Sequence, residues 1–301
     1  MTLLPTGVGS PADLSQRLAG ASYLADDGLA TVAFLALRLD RPLFCEGEAG
    51  VGKTELAHAL ATVLDAPLIR LQCYEGIDSS QALYDWDFPR QLLHLRAAEA
   101  TGAVDTVALE GELYDRRFLL ARPLLQAIQT TPSVLLIDEI DRADDEFEAF
   151  LLEVLADFSV TVPELGTITA EVPPTVVVTS NRTRDVHDAL KRRCLYHWVE
   201  HPDPRREAAI VRLRVPEAAE RLVAEVTAVT QWLRQHNLQK PPGVAETIDW
   251  ARAAVALGAD RLDDDLVAAT LGAVVKYRED AARIGRLDVQ AALDHAMGGR
   301  P

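Results

Sequence analysis

Gly47-Glu48-Ala49-Gly50-Val51-Gly52-Lys53-Thr54 has the spacing GxxxxGK[ST]. Such a stretch suits a polyphosphate. Glycines admit tight backbone conformations, so successive N–H groups converge on one phosphate. A helix opening directly after the stretch adds the positive end of its dipole. Lys53 would then neutralise charge on the β- and γ-phosphates, the Thr54 hydroxyl would face Mg2+, and Glu55 completes the stretch. The flanks weigh this reading against a glycine-rich turn that matches by chance. A short apolar strand, 42–45, enters the loop, and an Ala/Leu-rich run of helical periodicity leaves it.

A second group of polar residues stands where burial cannot explain it. Val134 to Ile137 are four apolar residues, followed by Asp138 and Glu139. A strand buried on both faces accounts for the apolar run, and ligands of parallel sheets sit at its carboxyl end. Asp138 would hold Mg2+ through water, and Glu139 would orient and polarise the water that attacks the γ-phosphate. The plain alternative is a solvated strand end. A further apolar strand, 175–181, ends in Asn181. Its amide donates one hydrogen bond and accepts another, which would position the same water. The plain alternative is an asparagine that makes a turn.

The elements that must position these groups alternate along the chain. Residues 1–20 read as a loose arm and 21–39 as a helix. Strands are expected at 42–45, 67–73, 133–139 and 174–181. Between them, 74–90 reads as a polar, aromatic loop or helix start, and 91–130 as helices around a short insert at 104–115. A helix is expected from about Asp144 to Phe158, followed by a hairpin over 160–172. From Pro202 the pattern is helical, with a loop at 236–243. The expected fold is α/β: a parallel sheet sandwiched by helices over 1–200, then a small all-α domain over 201–301.

These three motifs in this order, followed by a helical region, resemble the AAA+ ATPases of the P-loop NTPase class. Within them the chain is similar to the MoxR family. It shares an insert before the Asp-Glu strand, GELYDRRFLLARPLLQAI, and a hairpin before the Asn181 strand. The stretches at 72–94, 192–198 and 240–253 resemble MoxR-type maturation ATPases associated with molybdenum-containing carbon monoxide dehydrogenases and related hydroxylases. The resemblance spans essentially the whole chain. It implies ATP with Mg2+ as cofactor, and a homo-oligomeric ring, usually a hexamer, with ATP between neighbours. It also implies an arginine that completes the next subunit's site. By position that arginine is Arg193, with Arg192 as the alternative; a basic cluster complementing a helix dipole is the plain reading. In such proteins the all-α lid often starts its third helix with an arginine on the γ-phosphate. Ala245 stands there, and Arg252, two turns further on, is either its substitute or a surface residue. The resemblance further implies a partner carrying a von Willebrand factor A domain and a client metalloenzyme.

Composition narrows the classes. The 301 residues carry a net charge of −16, which argues against nucleic acid as a general ligand and against the alternative of a nucleic-acid motor or clamp loader. A binding-only scaffold would not need Glu139, and a metabolite kinase should show an acceptor site. Cys45, Cys73 and Cys194 form no CxxC and read as reduced thiols. No apolar run spans a membrane, and the first residues lack a signal-peptide pattern, so a cytoplasmic location without membrane insertion is expected. Tyr74, Tyr84, Trp86 and Phe88 read as core packing or a partner surface, His58 as structural, and the acidic run 260–265 as a solvated helix start.

Overall fold

The computed structural model describes residues 7–101, 111–284 and 293. Helices α1 (Pro11–Gly20) and α2 (Asp27–Arg38) precede strand β1 (Leu43–Glu46), and α3 (Lys53–Val63) leads to β2 (Leu68–Gln72). A short α4 (Ser79–Ala82), β3 (Tyr84–Trp86), α5 (Phe88–Thr101), β4 (Leu119–Ala121) and α6 (Pro123–Gln129) follow. Then come β5 (Val134–Asp138), α7 (Asp145–Asp157), the hairpin β6 (Ser159–Val162) and β7 (Gly166–Thr169), β8 (Thr175–Ser180), α8 (Asp188–Arg193) and β9 (Leu195–Trp198). Five helices close the described chain: α9 (Pro204–Arg214), α10 (Glu220–Arg234), α11 (Val244–Ala256), α12 (Asp264–Val274) and α13 (Arg278–Ile284).

The fold is the expected α/β arrangement, with a five-stranded sheet in the order β2-β5-β8-β1-β9. Strand β5 is parallel to both β2 and β8, and β8 is parallel to β1. All five residues of β5 are buried, which is why Val134 to Ile137 are continuously apolar rather than alternating. Strand β2 at the edge alternates instead: Ile69 and Leu71 are buried, while Arg70 is exposed.

The chain divides into two compact units. One comprises Met1–Arg17, Asp27–Glu46 and Leu56–His197; the other comprises Leu18–Asp26, Gly47–Glu55 and Trp198–Pro301. In the first, Phe44, Leu135, Ile137, Val176 and Val178 from the sheet pack with Phe147, Leu151 and Leu155 of α7. In the second, Val211, Val226, Leu233, Trp250 and Ala254 form the core of a helical bundle. Local chemistry sets the helix starts. Asp144 accepts from the Phe147 amide, Asp263 from the Leu266 amide, and Asp203 from the Arg205 and Arg206 amides with Pro204 at the first helical position.

Several segments differ from the sequence expectation: residues 21–26 precede α2 instead of belonging to it, and 119–121 form β4 inside a stretch expected to be helical. Residues 11–20 are helical rather than a loose arm, because Leu14 and Leu18, one turn apart, are both fully buried. Residues 84–86 form a strand, paired antiparallel with β4 in the register Tyr84↔Ala121. That pairing joins segments more than thirty residues apart, and no local pattern announces it. Residues 195–198 form β9, a strand directly after the basic cluster. The insert expected at 104–115 lies partly outside the described residues. The aromatic group divides: Trp86 is buried beside Phe118 and Leu125, whereas Tyr74 and Phe88 are exposed. His58 is exposed on α3. Among the described residues no helix is long and apolar enough to cross a membrane.

All three cysteines are free and buried. Burial pushes the Cys73 thiol up to about 12, helped by the charge of Asp138, and burial alone does the same for Cys194. Neutral buried thiols react slowly. Thiol titration of the native protein at about pH 8 is therefore expected to find less than one reactive group, and three after unfolding.

Candidate functional site

The glycine-rich loop is shaped by backbone. Strand β1 ends at Glu46 and α3 begins at Lys53, so 47–52 is the turn between them. Gly50 and Gly52 have φ of +80° and +95°, a region that other residues enter only with strain. A Cβ on Gly47 would fall 2.4 Å from the Val199 carbonyl oxygen. Lys53 is buried, and its Nζ donates to the carbonyls of Gly47 at 2.8 Å and Glu48 at 2.6 Å. The ammonium therefore lies inside the turn formed by its own loop.

Within the same unit, the start of α11 meets the loop. The Val244 and Ala245 amides donate to the Gly50 carbonyl at 3.0 and 3.2 Å. A Cβ on Gly243 would lie 2.8 Å from the Ala49 carbonyl oxygen, so only glycine allows this approach. Glu246 closes the helix start by accepting from the Gly243 amide at 2.9 Å. Glu48 pairs with His201 at 3.1 Å and Glu55 with Arg214 at 2.8 Å. Ala245 is exposed and contributes only its backbone. Arg252 is eight residues beyond Val244, about 12 Å along the helix. It is exposed and lies 3.6 Å from Asp249, so the helix carries it away from the loop.

The strand ends of the other unit hold a network of carboxylates. Asp138 is buried; its Oδ2 accepts from Arg70 at 2.5 and 3.0 Å, and its Oδ1 from the Thr179 hydroxyl at 2.5 Å. Glu139 has left-handed backbone, φ 57° and ψ 49°, and its amide donates to Thr179 Oγ1 at 3.0 Å. Its Oε1 accepts from Asn181 Nδ2 at 3.2 Å, and its Oε2 from Gln72 Nε2 at 3.1 Å and Arg142 Nε at 2.9 Å. The sequence-predicted Asp138, Glu139 and Asn181 thus come together. Sequence reading missed Arg70, Gln72, Thr179 and Asp141. The available signal was the pair of polar residues, Arg70 and Gln72, alternating with apolar ones on an edge strand. Asp141 is buried, which raises a carboxyl pKa, yet hydrogen bonds from Thr183 and the Asn181 amide outweigh this and hold it below the usual range.

The basic cluster ends α8. Arg41 caps this helix by donating to the carbonyls of Arg192 at 2.8 Å, Arg193 at 3.1 Å and Cys194 at 3.2 Å. Lys191 lies 3.4 Å from the buried Glu46, which also accepts from the Tyr196 hydroxyl at 2.9 Å. Burial and that hydrogen bond push Tyr196 up to about 12. Arg193 donates to the Leu152 carbonyl of α7. Arg192 is exposed, and its guanidinium has no partner among the described residues.

The donor chemistry fits a magnesium nucleotide. The loop offers glycine backbone, a buried ammonium and the Thr54 hydroxyl, and in the other unit Asp138 is a carboxylate; both are hard oxygen groups of the kind Mg2+ prefers. A family model described as AAA domain (dynein-related subfamily) matches residues 42–194. Among solved structures, RuvB, the Holliday junction branch migration motor of Thermotoga maritima, is 14% identical with a TM-score of 0.47. The match covers 100% of this chain and 87% of that one. A mutant of the same protein has a TM-score of 0.50 at 14% identity and equal coverage. At that identity the second likeness supports the fold alone. No curated protein matches the sequence.

Proposed function

The chain belongs to the AAA domain family (dynein-related subfamily), and we propose that it is an ATPase of MoxR type that remodels or matures a client enzyme. The observation that carries the ATPase reading is the Glu139 carboxylate, hydrogen-bonded to Asn181 beside the buried Asp138. Strands β1, β5 and β8 are parallel, so their carboxyl ends share one sheet edge. The loop beginning at Gly47, Asp138 with Glu139, and Asn181 all follow those ends.

In this reading the amides of 47–52 and Lys53 bind the phosphates. Thr54 and Asp138 hold Mg2+, which when bound neutralises phosphate charge. Glu139 aligns the attacking water and accepts its proton on a carboxylate oxygen, while Asn181 fixes the carboxylate's orientation. Residues 1–200 act as the nucleotide-binding domain and 201–301 as a lid. Because Gly50 and the start of α11 are hydrogen-bonded, a change in the loop acts directly on the start of α11. Subunits form a ring, with a von Willebrand factor A domain protein as adaptor and a metalloenzyme, such as a molybdenum hydroxylase, as client. The arginine given to the neighbouring site is Arg192 rather than Arg193, since Arg193 is engaged with Leu152 of its own chain.

The test is steady-state ATPase activity and size exclusion, with and without Mg2+. Wild type is expected to hydrolyse ATP only with Mg2+ and to elute as a larger species with nucleotide. Arg192→Ala is expected to lose about 10³-fold or more in turnover while keeping nucleotide affinity. Arg193→Ala is expected to lose less turnover and some thermal stability. A wild type that neither binds nor hydrolyses ATP would sink the proposal.

A further inference from the structure

We propose that Asp141 is a positioning residue for ATP hydrolysis, acting through the turn that carries Asn181; this rests on the ATPase reading above. Asp141 is buried and follows Glu139 by two residues. Its Oδ1 accepts from the Asn181 amide at 3.1 Å. Its Oδ2 accepts from the Thr183 amide at 2.9 Å and from the Thr183 hydroxyl at 2.6 Å. The carboxylate therefore grips both sides of Arg182, whose φ of 56° is left-handed. The Arg182 amide itself donates to Ser180 Oγ at 3.0 Å.

The consequence reaches the reacting group in two steps. Asp141 fixes the backbone of Asn181, and Asn181 Nδ2 donates to Glu139 Oε1 at 3.2 Å. Only a carboxylate does this fully. It accepts with both oxygens, and the three donors converge on it from one turn. An asparagine at 141 keeps the shape but presents an NH2 group to one of those donors. Its oxygen satisfies the two Thr183 donors, and the Asn181 amide is released. Asp141 touches neither phosphate nor water in this scheme. Its effect falls on turnover and leaves nucleotide binding alone.

The experiment is a double-mutant cycle between Asp141→Asn and Asn181→Ala, read as kcat, KM and the affinity for a fluorescent ATP analogue. Asp141→Asn is expected to lower kcat about tenfold or more, with KM and affinity changed by no more than about twofold. In the Asn181→Ala background the same change should cost no more than about twofold, because the path to Glu139 is already broken. Thr183→Ser, which keeps the hydroxyl, should retain wild-type turnover, and Thr183→Val should lose part of it. Equal loss of kcat in both backgrounds, or a parallel loss of affinity, overturns the proposal. If Asp141→Asn does not fold, the Thr183 pair is run through the same cycle and judged by the same criteria. Amide hydrogen exchange over 181–183 separates this proposal from the reading beneath it. A wild type without ATPase activity defeats that reading, and unchanged exchange in Asp141→Asn defeats this one.

Discussion

Replacing Glu139 by glutamine is expected to reduce ATP turnover by about 10²–10⁴-fold and to leave nucleotide affinity within a few-fold of wild type. The loss comes from the missing base, because the amide cannot accept the proton of the attacking water. The retained binding follows from geometry. The substitution leaves the loop glycines and Lys53 chemically unchanged, and the backbone bond from the Glu139 amide to Thr179 survives. Glutamine has the volume of glutamate but meets donors from Asn181, Gln72 and Arg142. One of these must face its NH2 group, at a cost of about 1 kcal/mol. The left-handed backbone at 139 is equally strained for either residue. The variant should therefore fold, bind ATP and accumulate as the nucleotide-bound ring. Turnover within tenfold of wild type would remove Glu139 from the mechanism.

The largest expected loss of stability belongs to Glu207→Ala, at about 3–5 kcal/mol. Glu207 is fully buried in the helical unit. Arg234 binds both its oxygens, each at 2.7 Å, and Gln231 and Thr247 donate at 2.6 and 2.7 Å. These contacts tie α9, α10 and α11 together through one carboxylate. Alanine would leave the Arg234 guanidinium buried without a counter-charge, since its side chain is only 9% exposed. Removing both charges with Glu207→Met and Arg234→Met should recover most of the loss, because no uncompensated ion remains. Trp198, Trp232 and Trp250 lie in this unit and Trp86 in the other. Denaturant unfolding followed by tryptophan fluorescence therefore reports mainly the affected unit. Arg234 also donates to the Pro242 carbonyl at 2.6 Å, immediately before the glycine that approaches the glycine-rich loop. Glu207→Ala should accordingly weaken ATP binding, and unchanged stability with unchanged affinity would contradict this account.

Much of the candidate site was legible because its signals are local. The spacing from Gly47 to Thr54 reports a backbone shape, and the strand before it and helix after it are set by neighbouring residues. Asp138 and Glu139 stand out because an apolar run of four cannot explain two carboxylates at its end. Asp144 and Asp203 mark helix starts for the same reason, as each caps amides two or three residues away. The helix at 11–20 was obscured by glycine and proline in its surroundings, since its stability comes from burying Leu14 and Leu18 rather than from composition.

The tertiary structure decided what each of these residues is bonded to. Arg70 reaches Asp138 across 68 positions, Arg41 reaches the end of α8 across about 150, and Asp141 reaches Thr183 across 42. Periodicity carries no trace of such pairs, because each depends on which strands become neighbours in the sheet. Arg192 and Arg193 make the point at the smallest scale. They are adjacent, equally charged and indistinguishable by sequence, yet helix geometry turns successive side chains about 100° apart. One therefore lands on the Leu152 carbonyl and the other points to solvent. Sequence alone marked a glycine-rich loop of phosphate-binding spacing and strands that end in acid; the fold determined which partners hold those groups still.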